Sequence, residues 1–289
     1  MTVFQQRATT AVVFSAVMLT GLFWNKWSFH LLFLVIATGC VWEFLEMTLP
    51  NDANKKLRKV IGAISGFALV FINYLASIKS TIPFIQSNNI LNSQSELIIN
   101  ILLILSFSLL IIELFLKAEL PFNNVALILF SLFYLALPFS LLTHFTQFNP
   151  YTGFTPNIVA GILFLTWAND SFAYLVGSKI GKTPFFLRVS PKKTWEGTIG
   201  GGVFCMITAG IIAQFFTQLS LMDWLIIGAI IAVFGTIGDL VESLLKRSVG
   251  VKDSGSFMPG HGGFLDRFDA FIFCIPFVYF YLSFVKHLF

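Results

Sequence analysis

The sequence predicts an all-α polytopic integral membrane protein, and three observations carry that prediction. Apolar residues make up 56% of the 289 and charged residues only 11%, whereas a soluble domain carries about 25% charged residues. Mean hydropathy is +0.84, and 35 phenylalanines are more than a water-surrounded core can hide. The apolar residues also gather into nine runs, most near the ~20 residues that a spanning helix needs. This excludes an ordinary cytosolic enzyme, a disordered chain and a disulfide scaffold. The net charge of +4 is too small to argue for a nucleic-acid partner.

In chain order the runs fall at 10–24, 28–47, 60–78, 96–116, 124–145, 157–177, 197–218, 224–245 and 268–287. The first is short and the third contains Asn73. The N-terminal stretch MTVFQQRATT has one arginine, and no small-residue cleavage site follows the first run. It reads as a retained span and not as a signal peptide. Nine spans put the termini on opposite sides. Fifteen of the basic residues then share a side with the N-terminus, and only Lys26, Lys79 and Lys286 fall opposite. The positive-inside rule makes the N-terminus cytoplasmic. Cys40, Cys205 and Cys274 sit in apolar runs without a CxxC pair, which suits packing.

The acids follow the basic side. Glu43, Glu46, Glu113, Asp170, Asp239, Glu242, Asp266 and Asp269 all fall at or inside its half of the membrane. Carboxylates at such depth are costly and mark functional candidates. Lengthwise, residues 1–156 are rich in Phe, Leu and Ile with featureless loops, whereas glycines, acids and basic loops concentrate in 157–289. The division expected is an N-terminal packing region and a C-terminal catalytic region.

Four stretches carry chemistry. The eighth run ends GTIGDLVESLLKR, which puts Gly235, Asp239, Glu242 and Lys246 on one helical stripe with Ser243 beside it. A helix-end ion pair of Glu242 with Lys246 accounts for two of these residues but not for Asp239, a turn deeper. The following loop holds Gly255, Gly260, Gly262 and Gly263, which free the backbone to turn N–H groups toward an anion. Lys246, Arg247, Lys252 and Arg267 supply cations suited to phosphate. Asp266 and Asp269, a turn apart where the last helix begins, suit a hard cation such as Mg²⁺, or they cap a helix start. His261 suits a ligand, a phosphate donor or a structural hydrogen bond. In the sixth run Asp170, Tyr174, Gly177 and Gly181 share a stripe. In the loop after it, Ser190-Pro191-Lys192-Lys193 reads as a turn entering a helix that Thr194 caps. Gly197 and Gly201 form a GxxxG, a helix-packing pattern.

Assembled, the stretch from Ser243 through Lys246-Arg247, Lys252-Asp253 and Gly255 to Pro259-Gly260-His261-Gly262-Gly263 and Asp266-Arg267-Phe268-Asp269 resembles the signature of phosphatidate cytidylyltransferase, also called CDP-diacylglycerol synthase. Ser190 to Gly197, the Asp170/Ala173/Tyr174/Gly177 pattern and Gly238-Asp239 with Glu242-Ser243 are similar to that family too. The match covers about 157–289. The resemblance implies transfer of CMP from CTP to phosphatidate, giving CDP-diacylglycerol and pyrophosphate in phospholipid biosynthesis. It implies Mg²⁺ and a second metal such as K⁺. It gives Asp239, Asp266 and Asp269 to the metals, and Lys246, Lys252 and Arg267 to phosphates. Lys192 and Lys193 go to the lipid headgroup, while Ser243, Arg247, His261, Gly262 and Gly263 join the substrate site. Asp170 is a base or a supporting partner. A homodimer in the bacterial inner membrane, its active site facing the cytoplasm, completes the expectation. A transporter would distribute its acids across the bilayer in paired repeats, and neither feature is visible. A related CTP-dependent lipid kinase is the nearer rival.

Overall fold

The computed structural model describes residues 3–79, 94–146, 154–257 and 262–287. Their secondary structure is nearly all helical: α1 (Val3–Phe23), α2 (Lys26–Thr48), α3 (Lys55–Lys79), α4 (Gln94–Leu116), α5 (Pro121–Phe145), α6 (Asn157–Ile180), α7 (Trp195–Phe215), α8 (Leu221–Ser248) and α9 (Leu265–Val285). Eight of these helices are long and apolar enough to cross a membrane, and the apolar part of α1, Thr9–Phe23, is shorter. Local chemistry explains where they begin. Asn25 Oδ1 accepts from the N–H groups of Trp27 and Ser28 at 2.8 and 2.9 Å, and Ser28 Oγ accepts from Asn25 N–H at 3.0 Å. This capping box starts α2 two residues before the apolar run. Ser220 and Asp223 form the same box at the start of α8.

Three helices carry a π-turn: α5 at Leu132–Ala136, α8 at Ile231–Gly235 and α9 at Tyr281–Val285. A π-turn takes one residue more than an α-turn and recurs at functional sites.

One feature departs from the sequence reading. The segment after α6 forms an antiparallel ribbon of β1 (Pro184–Phe186) and β2 (Ser190–Thr194), pairing Pro184 with Thr194 and Phe186 with Ser190. Ser190 to Lys193 is thus a strand and not a turn. Pro191 disfavours the helical region at Ser190, and a two-stranded ribbon tolerates its missing N–H. The expected cap is present: Thr194 Oγ1 accepts from Gly197 N–H at 3.2 Å. Glu196, in the first turn of α7, accepts from the N–H groups of Lys182 and Thr183 and closes the open end of the ribbon.

Packing follows the logic of a bilayer, where close approach and not water exclusion holds helices together. The GxxxG of α7 lies against α6. A Cβ at Gly197 would come within 2.8 Å of the Ala173 carbonyl, and one at Gly201 within 2.7 Å of the Asn169 carbonyl. Phe33, Phe139, Phe268 and Phe271 join α2, α5 and α9 in an aromatic core, with Phe33 and Phe271 stacked at 6.0 Å. All three cysteines are free and buried.

Candidate active site

The C-terminal half of α2, the start of α7, the ends of α6 and α8, the ribbon and the start of α9 meet at one end of the bundle. The ion pairs and hydrogen bonds between them define the site. One oxygen from each of Asp239, Glu242 and Asp269 lies within 4.8 Å of the other two. Asp239 and Glu242 come from the stripe on α8 and Asp269 from the first turns of α9. Among the described residues this is the carboxylate group able to hold a metal ion.

Two lysines flank it. Lys193 on β2 pairs with Asp239 at 2.7 Å and donates to the Thr236 carbonyl at 3.2 Å. Lys246 stands between Glu242 at 2.5 Å and Asp266 at 2.7 Å. Glu242 has no exposure to solvent; its Oε2 is paired with Lys246, while its Oε1 has no hydrogen-bond partner among the described residues. A buried carboxylate normally fills its lone pairs. Three carboxylates this close also repel one another strongly unless positive charge joins them. The donor set, oxygens only, is that of a hard cation.

Asp266 and Asp269, one turn apart, have different partners. Asp266 Oδ1 takes Lys246, while its Oδ2 accepts from the N–H groups of Ser254 and Gly263 at 2.9 and 2.8 Å and from Ser254 Oγ at 2.9 Å. Asp266 therefore folds the glycine loop onto the start of α9. Gly262 has φ +81° and leaves no room for a Cβ, which would lie 2.3 Å from Asp266 Oδ2. Ser243 donates to Asp239 at 3.3 Å. Arg247 is exposed and donates to the Val251 carbonyl at 3.4 Å, while Lys252 and Arg267 are exposed around the loop. His261 lies outside the described residues.

A cavity of about 510 Å³ opens beside the cluster, lined by Asp170, Tyr174, Ser190, Lys192, Lys193 and Asp239 among others. Asp170 sits in the second half of α6 and lines this space. The cavity thus has cations on the ribbon side and carboxylates on the helix side, a suitable lining for a phosphate ester. Sequence reasoning reached the pair Lys192 and Lys193, Asp170 and Asp239 on three separate grounds, and folding brings them to one cavity. It missed Glu43, which reaches the glycine loop from α2. The depth of that acid in an apolar run was the available signal, but nothing in the sequence tied it to a loop more than two hundred residues away.

Not every buried acid belongs to the site. Glu113 on α4 accepts two hydrogen bonds from Arg58 at 2.5 and 2.9 Å and one from Asn124 at 3.1 Å, while Asp52 holds the remaining side of the guanidinium. Glu46 pairs with Lys55 and Lys59, and Lys59 lies over the Trp42 ring. These pairs tie the α2–α3 turn to α4.

Comparison with known proteins identifies the family. The sequence profile of the Cytidylyltransferase family matches residues 5–285. The phosphatidate cytidylyltransferase of Bacillus subtilis strain 168 is 34% identical over 281 residues, spanning 96% of this chain and 97% of that protein. The protein of the same name from Staphylococcus haemolyticus is 32% identical over 272 residues, 93% and 95% of the two chains. Those of Staphylococcus aureus reach 46% over a shorter stretch of 114 residues, 39% of this chain. With a profile match running nearly end to end and relatives aligned over almost their whole lengths, the chain belongs to the cytidylyltransferase family.

Proposed function

We propose that the chain transfers the cytidylyl group of CTP to phosphatidate, releasing pyrophosphate and leaving CDP-diacylglycerol in the bilayer, as a step of phospholipid biosynthesis. The observation that carries the reading is the Asp239–Glu242–Asp269 cluster beside a cavity walled by Lys192 and Lys193. A phosphatidate phosphate oxygen attacks the α-phosphorus of CTP, and the bond from that phosphorus to the bridging oxygen of the β-phosphate breaks. No protein nucleophile is needed, so the enzyme's contribution is positioning and charge neutralisation. Lys192 and Lys193 hold the lipid phosphate at the ribbon. Lys252 and Arg267 hold the nucleotide phosphates on the loop side. Asp170 faces the lipid phosphate and orients it or takes its proton. Asp239, Glu242 and Asp269 fit Mg²⁺, with three carboxylate oxygens within 4.8 Å of one another and the open Oε1 of Glu242 as the supporting observations. A divalent cation bound there supplies positive charge against the nucleotide phosphates and the pyrophosphate that leaves.

The site faces the cytoplasm, where CTP is found, and the basic loops support that orientation. A second copy would have room along α4, where Ile104, Phe107, Leu114 and Phe115 are exposed. The deciding assay uses purified protein, phosphatidate in mixed micelles and CTP labelled separately in the base and in the γ-phosphate. Lipid-bound cytidine with pyrophosphate release is the expected result. Lipid-bound γ-phosphate alone would make the protein a kinase, and label in neither product would return the transport reading. Orientation is checked by single-cysteine labelling on a cysteine-free background. Ser190→Cys and His287→Cys should label from opposite faces of the membrane, and labelling from one face would remove a span.

A further inference from the structure

We infer that Glu43, on α2 in the half of the chain without signature motifs, is a positioning residue for the transfer reaction: it fixes the glycine loop and, through Asp266 and Lys246, the carboxylate cluster. The inference rests on the cytidylyltransferase reading above. Glu43 is buried, and its Oε2 accepts from Ser254 Oγ at 3.0 Å and from Leu265 N–H at 3.0 Å. The second of these is a first-turn N–H of α9, which has no partner within the helix. Ser254 Oγ also lies 2.9 Å from Asp266 Oδ2 and accepts from Asp266 N–H at 3.3 Å. A hydroxyl has one proton to give, so Glu43 and Asp266 face each other across a single shared donor. From Asp266 the contacts run to Lys246 and on to Glu242 at the cluster.

Two loop glycines are shaped to this carboxylate. The three atoms nearest a Cβ at Gly255 would all be Glu43's, with its Oε1 at 2.5 Å and its carboxyl carbon at 2.8 Å. A Cβ at Gly263 would lie 2.2 Å from Glu43 Oε2 and 2.4 Å from Ser254 Oγ. The carboxylate cannot swing aside without breaking its bonds to Ser254 and Leu265. Glu43 thus fixes Ser254 and Gly255 against Gly263 and Leu265, although its own helix lines neither the cavity nor the cluster.

Glu43→Gln keeps the shape and removes the charge. In the full-length protein it should lower kcat at least tenfold while the phosphatidate KM stays within twofold, because the ribbon wall is untouched. Hydrogen exchange should accelerate over 252–266 and stay unchanged over α6 and the ribbon. Unchanged kcat and exchange would overturn the inference. So would a uniform loss of folded protein with normal kcat per folded molecule, which marks a merely structural residue. If Glu43→Gln does not fold, Gly255→Ala decides: it should cost tenfold or more in kcat alone and far less in a Glu43→Ala background, because the atom it strikes is gone. Equal costs in both backgrounds would refute the coupling. Wild-type protein that transfers no cytidine defeats the functional reading, and the positioning role with it. A normal wild type with an indifferent Glu43→Gln defeats the positioning role alone.

Discussion

Two of the charged clusters among the described residues are built on opposite plans. Around Arg58, every guanidinium nitrogen has a carboxylate partner, from Glu113 on one side and Asp52 on the other, and Asn124 adds a further donor to Glu113. Around Asp239, Glu242 and Asp269, three carboxylates converge with Lys193 and Lys246 at the margin, and Glu242 Oε1 has no hydrogen-bond partner among the described residues. Both clusters come from acids in apolar surroundings, and by depth alone they look alike. Saturation separates them. A closed set of donors and acceptors holds helices together, whereas a set that leaves a buried acceptor open has room for a further donor or cation.

Breaking the open cluster should have the largest effect. Asp269→Asn preserves size but removes a charge from the group, and turnover should fall more than a thousandfold, about 4 kcal/mol of transition-state stabilisation, with the folded yield unchanged. Labelled-CTP assays across a Mg²⁺ titration check it; near-normal turnover with an unchanged Mg²⁺ requirement would take Asp269 out of the cluster's function.

The closed cluster should respond in the other currency. Arg58→Met strands Glu113 and Asp52, and breaking a buried pair costs about 3 kcal/mol or more. Thermal unfolding in detergent should shift down sharply while kcat per folded molecule holds. A kinetic defect without a stability loss would erase the contrast between the clusters.

Lys192→Ala sharpens the comparison at the cavity. Its side chain lines that space and makes no ion pair among the described residues, so the phosphatidate KM should rise about tenfold, about 1.4 kcal/mol, with the CTP KM unmoved. Equal rises for both substrates would assign the ribbon to the nucleotide.

The smallest effect is that of acid. Hydrogen bonding to Arg58 holds the Asp52 carboxyl below its ordinary range. A depressed native value stabilises the fold above the unfolded pKa of about 3.9 and loses that contribution as pH falls through the native value. Melting temperature should therefore be level above about pH 5 and decline below, and the decline should be shallower in Asp52→Asn. The same slope in both proteins would clear Asp52.

Spans were the most legible part, because a bilayer imposes length and apolarity on the chain directly. The runs read at 157–177 and 124–145 correspond to Asn157–Ile180 and Pro121–Phe145. The runs read at 28–47 and 224–245 begin earlier, at Lys26 and Leu221, because the caps Asn25 and Ser220 recruit polar residues that hydropathy alone leaves out. The ribbon was illegible for a different reason. Strands of three and five residues have no useful period, and this one is held by Glu196 and by the Phe185–Trp195 contact at 4.4 Å, both tertiary. At the site, helical spacing was enough to align Asp239 with Glu242. It could not say that Asp266 and Asp269 would take different partners, because that division is made by Lys246 and Ser254 on other segments. Glu43 was visible as an inner-side acid, but its loop partner could not be read without the fold.

The π-turn in α8 has a consequence for how this enzyme can vary. Each residue of an α-helix turns the chain by about 100°, so a single insertion or deletion normally rotates everything downstream. Ile231–Gly235 absorbs one such extra residue just before Asp239. Upstream of it, α8 stays in register with α7, where Cys205 Sγ approaches the Gly228 carbonyl at 3.4 Å. Downstream, Asp239 and Glu242 are free to take a different azimuth. The bulge works as a phase coupling between two gears on one shaft, one cut to fit lipid and neighbouring helices, the other indexed to the chemistry. Removing a single residue from it would swing both carboxylates away from Asp269 while leaving every membrane contact upstream in place.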